Sequence, residues 1–406
     1  MNVCMEIYKS STTGVAAALN HGWSYCQAPF VARMDADDVC APGRFAAQLG
    51  ALQANPQLRV VGTHSVLFAE TSNARRGTDS NQPMHSQQQS DNNNETILSA
   101  SDVPYAYKRD ESDDDEEDGS IRVRTSLPPT DPGLTAWAML FSCCLSHPST
   151  MFRKDYCYAE EELRYNESVQ HAEDYDLWLR LVRDNVRSVA SIPRIGLWHR
   201  KRSHSANKDD DDDDKDATVR RLLQQQQESI ALVAQAMTQL LSSSESHEAV
   251  VDHDAVRVLM GRSCEPTSSS SSFLGGLGVL DEAATLLWSL LKAFLSRHES
   301  VLTEREKELI ELDAKERLGL LATRAVTETN GENGVEKIAE SVAWKLWCQE
   351  SPERGLEQLT LLTTLAKRRR SSSSSSRRRS SNSIVVRNET PVAVTFEQRE
   401  PSWVCS

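Results

Sequence analysis

Residues 30–38 read Phe-Val-Ala-Arg-Met-Asp-Ala-Asp-Asp. The run Pro29–Met34 is apolar except for Arg33. It fits a strand buried on both faces, as in a parallel sheet. Three carboxylates follow at its end. In extended backbone, side chains two apart point the same way, so Asp35 and Asp37 are expected to share a face. Carboxylates this close repel unless a cation sits between them, and Mg²⁺ or Mn²⁺ suits oxygen ligands of this kind. A solvated acidic turn ahead of the next helix is the competing reading for so short a motif.

The flanks organise around this stretch. Gly14–Cys26 carries Val15, Ala18, Leu19 and Trp23 at helical spacing. Pro42 opens a helix through about Gln53, stopped by Asn55-Pro56, and Leu58–Phe68 reads as a second strand. Residues 71–132 change character: Gln, Asn and Ser fill 80–94 and an acidic run follows. Such composition buries too little apolar surface to offset chain entropy, so this segment is expected to be a disordered insertion. Order resumes over 133–205. Leu134–Leu145 is apolar, and Val169–Asn185 is amphipathic, with Tyr175, Trp178, Leu179 and Val182 at i, i+3, i+4 and i+7. Val186–Leu197 reads as a strand. Residues 206–216 form an acidic linker. Residues 217–365 form a helical extension, with helices over Ala217–Leu241, Asp281–Arg297, Thr303–Ala325 and Gly334–Cys348, and 366–406 a disordered basic and serine-rich tail.

The whole chain has 406 residues, enough for two or three domains at about 100–200 residues each. It has 59 acidic and 45 basic residues, for a net charge of −14. Asp110–Asp118 holds eight acids and Asp209–Asp214 six, which accounts for that excess. The rest is balanced, which excludes a nucleic-acid binder with a strongly basic body; no specific nucleic-acid partner is expected. The nine cysteines contain no C-x-x-C pair, so no zinc framework can be drawn and reduced thiols are the plain reading. No secretory signal is visible. The best membrane candidate, Ala283–Leu295, is 13 residues with Lys292 inside, short of the roughly 20 that a span needs. A cytoplasmic location is expected.

Three further clusters carry potential chemistry. Glu173, Asp174 and Asp176 fall in the first turn of the 169–185 helix. Acids there are stabilised by the helix dipole whatever their role; the functional reading is a general base that takes the proton of an acceptor hydroxyl. Trp178 beside it would wall a sugar ring or simply fill the core, and Arg180 follows on the same helix. In Ser146–Arg153, Pro148 marks a turn, and His147 is a ligand or a structural hydrogen-bonding residue. Trp198–His204 combines cations and imidazoles that face a diphosphate or start the charged linker.

Taken together these stretches resemble family 2 glycosyltransferases. Ala32–Asp38 with Pro42, Arg44 and Gln48 resembles the family's metal-binding segment, and Gly14–Asn20 the segment before it. His147–Arg153 is similar to its His-Pro-Ser-x-Met-Phe-Arg stretch, Glu173–Leu181 to its Glu-Asp-Tyr-Asp-Leu-Trp-Leu-Arg-Leu helix, and Ile192–Arg200 to its closing segment. The resemblance covers about 12–68 and 133–205, which makes 1–70 and 133–205 two parts of one domain. It implies a GT-A fold, an α/β Rossmann-like and mostly parallel sheet, and transfer from a nucleotide-diphospho-sugar donor to a sugar, lipid or protein acceptor. It implies Asp35 and Asp37 as metal ligands for Mn²⁺ or Mg²⁺, with His204 nearest the position of a further metal-facing His. It implies Asp174 as base with Glu173 beside it, and substrate contacts from Arg33, Asp35, Asp38, His147, Trp178, Arg180 and Arg200. Most members invert the anomeric centre in a single displacement.

The sequence before Gly14 matches none of the strands with which that family begins. The chain is therefore expected to be N-terminally truncated relative to it, as a piece of a longer product or a degenerate copy. The rival to an active transferase is an inactive remnant that binds protein partners through the helical extension, the acidic insertion or the tail.

Overall fold

The computed structural model describes residues 14–70, 95–98, 121–154, 164–200, 212–242, 251–261, 276–328 and 334–374. In chain order the first part runs α1 (Val15–Tyr25), β1 (Phe30–Ala32), β2 (Val39–Cys40), α2 (Arg44–Ala54), β3 (Val60–Glu70), β4 (Glu95–Leu98), β5 (Ile121–Ser126), α3 (Pro132–Ala138), β6 (Met151–Arg153), α4 (Glu173–Asp184) and β7 (Val189–Arg200). Helices follow: α5 (Asp212–Leu241), α6 (His253–Leu259), α7 (Leu277–Arg297), α8 (Glu304–Glu328), α9 (Gly334–Glu340), α10 (Val342–Glu350) and α11 (Gly355–Ser374).

Strand β3 organises the sheet. β7 runs parallel along one edge, with Val60 opposite Val189 and Phe68 opposite Arg200. The other edge is divided between β6, opposite Val60–Val61, and β5, opposite Ser65–Glu70, both antiparallel. β1 adds to β6, β4 to β5 and β2 to β7, again antiparallel. The α/β class therefore holds, but the expectation of a mostly parallel sheet does not: among the described strands β3 and β7 form the one parallel pair. Parallel pairing needs a crossover, whereas β5 and β6 return against the strands they meet. β1 is likewise three residues at the edge of the described sheet and only partly covered, not a strand buried on both faces.

The 71–132 segment, expected to lack structure, supplies β4 and β5; its residues 71–94 and 99–120 lie outside the described ones. The helices of the extension differ in extent from expectation. α5 starts inside the acidic run, the expected Gly334–Cys348 helix is two helices that meet at Ser341, and α6 and α11 add to the set. Ser341 caps α10, its hydroxyl accepting from the Trp344 N–H, which explains the break. α11 carries helix to Ser374 in what was read as tail. Among the described residues, no helix is long and apolar enough to cross a membrane.

One hydrophobic cluster joins the sheet to the helices. It holds Trp137, Phe141, Phe152, Trp178 and Leu181 together with Val233, Met237, Leu287, Phe294, Ile310, Leu318 and Trp347. The Trp137 and Phe294 rings sit 5.4 Å apart, edge to face. Polar contacts fix the junction. Trp137 Nε1 donates to Asp313 Oδ2 at 2.6 Å, and the Arg317 guanidinium lies 4.1 Å from the Phe141 ring centroid. Glu306, 2% exposed, accepts from the Gly133 N–H, from the Thr303 N–H and hydroxyl, and from both arms of Arg187. Gly133 allows this close contact: a Cβ there would meet Leu302 Cδ2 at 2.5 Å and Glu306 Oε1 at 2.9 Å, so both side chains would have to shift.

Burial pushes the Glu306 carboxyl up, but the N–H groups of Thr303 and Gly133, the Thr303 hydroxyl and Arg187 outweigh it and hold it below its ordinary 4.5. A carboxyl depressed in the folded state stabilises fully above its unfolded pKa and loses that contribution as pH falls through the folded value. Glu306→Ala is expected to lower the unfolding free energy by about 3–5 kcal/mol, the cost of leaving a buried partner charge unpaired. Urea titrations of both proteins check this. The gap between them should narrow as pH is taken below 4.5.

Candidate active site

The acidic stretch leaves β1 as a turn. The Arg33 N–H donates to the Thr150 carbonyl at 2.9 Å, and the Asp38 N–H donates back to the Asp35 carbonyl at 3.3 Å. That turn cancels the two-residue alternation assumed for extended backbone. Asp35 and Asp38, rather than Asp35 and Asp37, come together. The antiparallel pairing of β2 with β7, Val39 opposite Trp198, brings His199 alongside. One ligand-type atom from each of Asp35, Asp38 and His199 lies within 4.8 Å of the others. Asp37 stands outside this cluster, its carbonyl accepting from Arg200 Nε at 3.3 Å. His204 lies outside the described residues.

The cluster has the electrostatics of a cation site. Asp38 is 7% exposed; its Oδ1 accepts the Arg200 N–H at 2.9 Å, and its Oδ2 has no hydrogen-bond partner among the described residues. Burial raises its carboxyl above the ordinary range and the charges of Asp35 and Asp37 add to this, while the Arg200 N–H and His199 oppose it. A buried carboxylate with one unpartnered oxygen, clustered with a second carboxylate and an imidazole, fits a divalent cation that accepts mixed oxygen and nitrogen ligands. Arg33 balances part of the charge, its two Nη atoms meeting the Asp35 oxygens at 2.7 and 2.9 Å. The Arg200 guanidinium lies over the Phe68 ring, 5.4 Å from its centroid.

Behind the turn sits a buried polar rivet. Arg44, with no exposed surface, donates to the carbonyls of Arg33 at 2.8 Å and Thr150 at 3.3 Å, and to Gln48 Oε1 at 3.0 Å. Gln48 in turn donates to the carbonyls of Val61 and Ser149, each at 2.8 Å. Pro42 does not itself open the helix; Gly43 caps α2 at φ 74°, a left-handed conformation that glycine takes without penalty.

Asp174 lies in the first turn of α4, half-buried. Its Oδ1 accepts the Tyr175 N–H at 2.7 Å, and its Oδ2 faces the Cys143 sulfur at 3.8 Å. Burial, then the charge of Glu173, push its carboxyl up to about 6, while the Tyr175 N–H and Arg33 oppose the rise. Arg33 thus acts on both acidic groups: it pairs with Asp35 and its charge reaches Asp174.

The other sequence candidates separate. Trp178 has no exposed surface and stacks on Phe152 at 5.7 Å, so it is core and not a wall for a sugar. His147, 6% exposed, bonds the Tyr165 hydroxyl at 2.7 Å, and burial holds it well below its ordinary pKa as a neutral structural imidazole. Arg180 is held on its own helix face by Asp176 at 2.9 Å and by the Arg164 carbonyl. Glu173, Arg33, Asp35, Asp38 and Arg200 remain at or beside the site. Sequence reasoning passed over His199 as a ligand, although it stood in the flagged Trp198–His204 stretch, because its partners lie 161 and 164 positions earlier.

The acidic turn at the end of an edge strand and the Asp174 carboxyl are thus linked through Arg33. Parts of the chain are similar to known proteins. Residues 5–110 match the family model described as Glycosyl transferase family 2. The stretches at His147–Arg153 and Glu173–Leu181 lie beyond that match. The chain is 25% identical over 185 residues to the bifunctional glycosyltransferase pgtA of Dictyostelium discoideum, covering 43% of this chain and 20% of that protein. It is 39% identical over 57 residues to the amylovoran biosynthesis glycosyltransferase AmsE of Erwinia amylovora, 14% of this chain and 21% of that one. The chain thus spans about a fifth of the length of these curated relatives. Among solved structures, S. aureus TarS 1-349 aligns at TM-score 0.28 and 11% identity, over 75% of this chain and 67% of that one. Residues 5–110 are thus similar to family 2 glycosyltransferases.

The rivet gives a direct test of how the site is held. Lysine cannot reproduce the guanidinium fork. Arg44→Lys is expected to lower stability by about 2–4 kcal/mol, the cost of several buried acceptors left unmet. Thermal and denaturant unfolding measure it.

Proposed function

We propose that this chain moves a sugar from a nucleotide-diphospho-sugar to an acceptor hydroxyl, in a single inverting displacement that depends on a divalent cation. The observation that carries the reading is the Arg33 guanidinium, paired with Asp35 of the acidic turn and close enough to Asp174 to act on its carboxyl. Asp35, Asp38 and His199 would hold the cation, and Arg200 lines the same turn. When bound, a Mg²⁺ or Mn²⁺ ion supplies Lewis-acid stabilisation of negative charge on the departing diphosphate. Arg33 adds a fixed positive charge between the donor side and the base. Asp174 takes the proton of the acceptor hydroxyl as that oxygen attacks. A base must be deprotonated before it can act, and a carboxyl raised to about 6 is both ionised near neutral pH and basic enough to compete for a hydroxyl proton. The acceptor, a sugar, lipid or protein hydroxyl, is left open by this reading.

Asp174→Asn is expected to lower kcat by about 10²–10⁴-fold with donor KM little changed, the usual scale for loss of a general base. The wild-type kcat should rise with pH through about 6 and then level off. Steady-state rates with a panel of nucleotide sugars measure both; equal turnover in Asp174→Asn sinks the assignment. Asp38→Ala should abolish Mn²⁺-dependent donor binding by calorimetry, as should a chelator added to the wild type. Donor binding that survives both rules out the cation.

A further inference from the structure

Cys143 lies on the loop that leaves α3, between the buried Phe141 and Leu145. Its side chain is open to solvent, yet it faces the Asp174 carboxylate at 3.8 Å. Its neighbour Cys144 turns the other way, its sulfur 3.7 Å from that of Met139. The loop and α4 are braced against each other: the Tyr175 hydroxyl donates to the Met139 carbonyl at 2.7 Å, while the Tyr175 N–H holds Asp174 Oδ1. The thiol has two acceptors in reach, the Leu145 carbonyl and Asp174 Oδ2, each at 3.8 Å. An ionised carboxylate is the stronger of the two.

We propose that Cys143 is a positioning residue for the Asp174 carboxylate, its thiol holding Oδ2 while the Tyr175 N–H holds Oδ1. With both oxygens held, the carboxylate has one orientation, and the free lone pair of Oδ2 is left for the acceptor hydroxyl. Because Cys143 is also exposed, its side chain borders the space that the acceptor enters. This rests on Asp174 being the base.

The charged or titratable groups that act on the Cys143 thiol are Asp174, Cys144 and Glu173; Glu173 and Arg33 act on Asp174. Closely surrounding protein and these charges keep the thiol protonated well above its ordinary range. Cys144 is pushed up to about 12 by burial and serves as a silent neighbour.

The first arm of the test needs no activity. The full chain is treated with iodoacetamide at pH 8 and each cysteine is followed by peptide-resolved mass spectrometry. Asp174→Asn removes a negative charge beside the thiol, so Cys143 should react about threefold to tenfold faster, with Cys144 and Cys348 unchanged as a check on folding. An unchanged Cys143 rate overturns the proposal, because the two groups would then not be coupled. The second arm measures transfer. Cys143→Ala should lower kcat about fivefold, the scale of one net hydrogen bond, with donor KM unchanged, and Cys143→Ser should restore most of the loss. A Cys143→Ala protein that turns over like wild type also overturns it. A coupled thiol in a wild-type protein that transfers no sugar from any donor sinks the transferase reading instead, and the base-positioning role with it.

Discussion

A guanidinium with no contact with water fixes the geometry on which the site depends. Arg44 spends Nε and Nη2 on Gln48 and on backbone carbonyls from two separate segments, and Gln48 passes the connection on to two more, while Nη1 is buried with no hydrogen-bond partner among the described residues. These carbonyls belong to the end of β1, the turn before β6 and strand β3. Burying an arginine is costly, and the contacts that Nε and Nη2 do make offset part of that cost, so losing any of them leaves a buried group unmet. The acidic turn inherits its position from this lattice, and Arg33 is aimed from its end.

The helical region is part of the same construction. Glu306 of α8 binds the start of α3 and Arg187 just beyond α4, while Glu228 of α5 accepts the His171 N–H just ahead of α4 at 2.9 Å. Both ends of the helix that carries Asp174 are therefore held by carboxylates from the extension. The shared apolar cluster means that these helices fold with the sheet rather than beside it.

Much of this was legible in the sequence wherever the signal was local. The helix at 173–184 announced itself by spacing, and the acidic stretch by composition. Where the sequence reading and the structure differ, turn geometry and longer-range pairing account for it. Asp35 and Asp37 were expected on one face from the extended backbone and as metal ligands from the family resemblance; a local turn hydrogen bond instead brings Asp38 alongside Asp35. His199 enters the cluster through strand register, which no local pattern encodes. β5 has the alternation Ile121, Val123, Thr125, a true strand signal hidden behind eight acids. Trp178 was ambiguous because a helix presents the same spacing whether its aromatic faces a core or a ligand. The mostly parallel sheet was implied by the family resemblance; partners across a sheet decide direction, and they lie far off in sequence.

Leu98 and Ile121 sit opposite each other on adjacent strands, and Ile121 also faces Glu70 across the next gap. The 22 residues between Leu98 and Ile121 therefore leave and rejoin the sheet at one rung. Closing a loop costs entropy that grows only with the logarithm of its length, about 0.6 kcal/mol per doubling. The distance between its ends is set by the hydrogen-bonded rung whatever the loop contains. This makes 99–120 a natural seam for sequence variation.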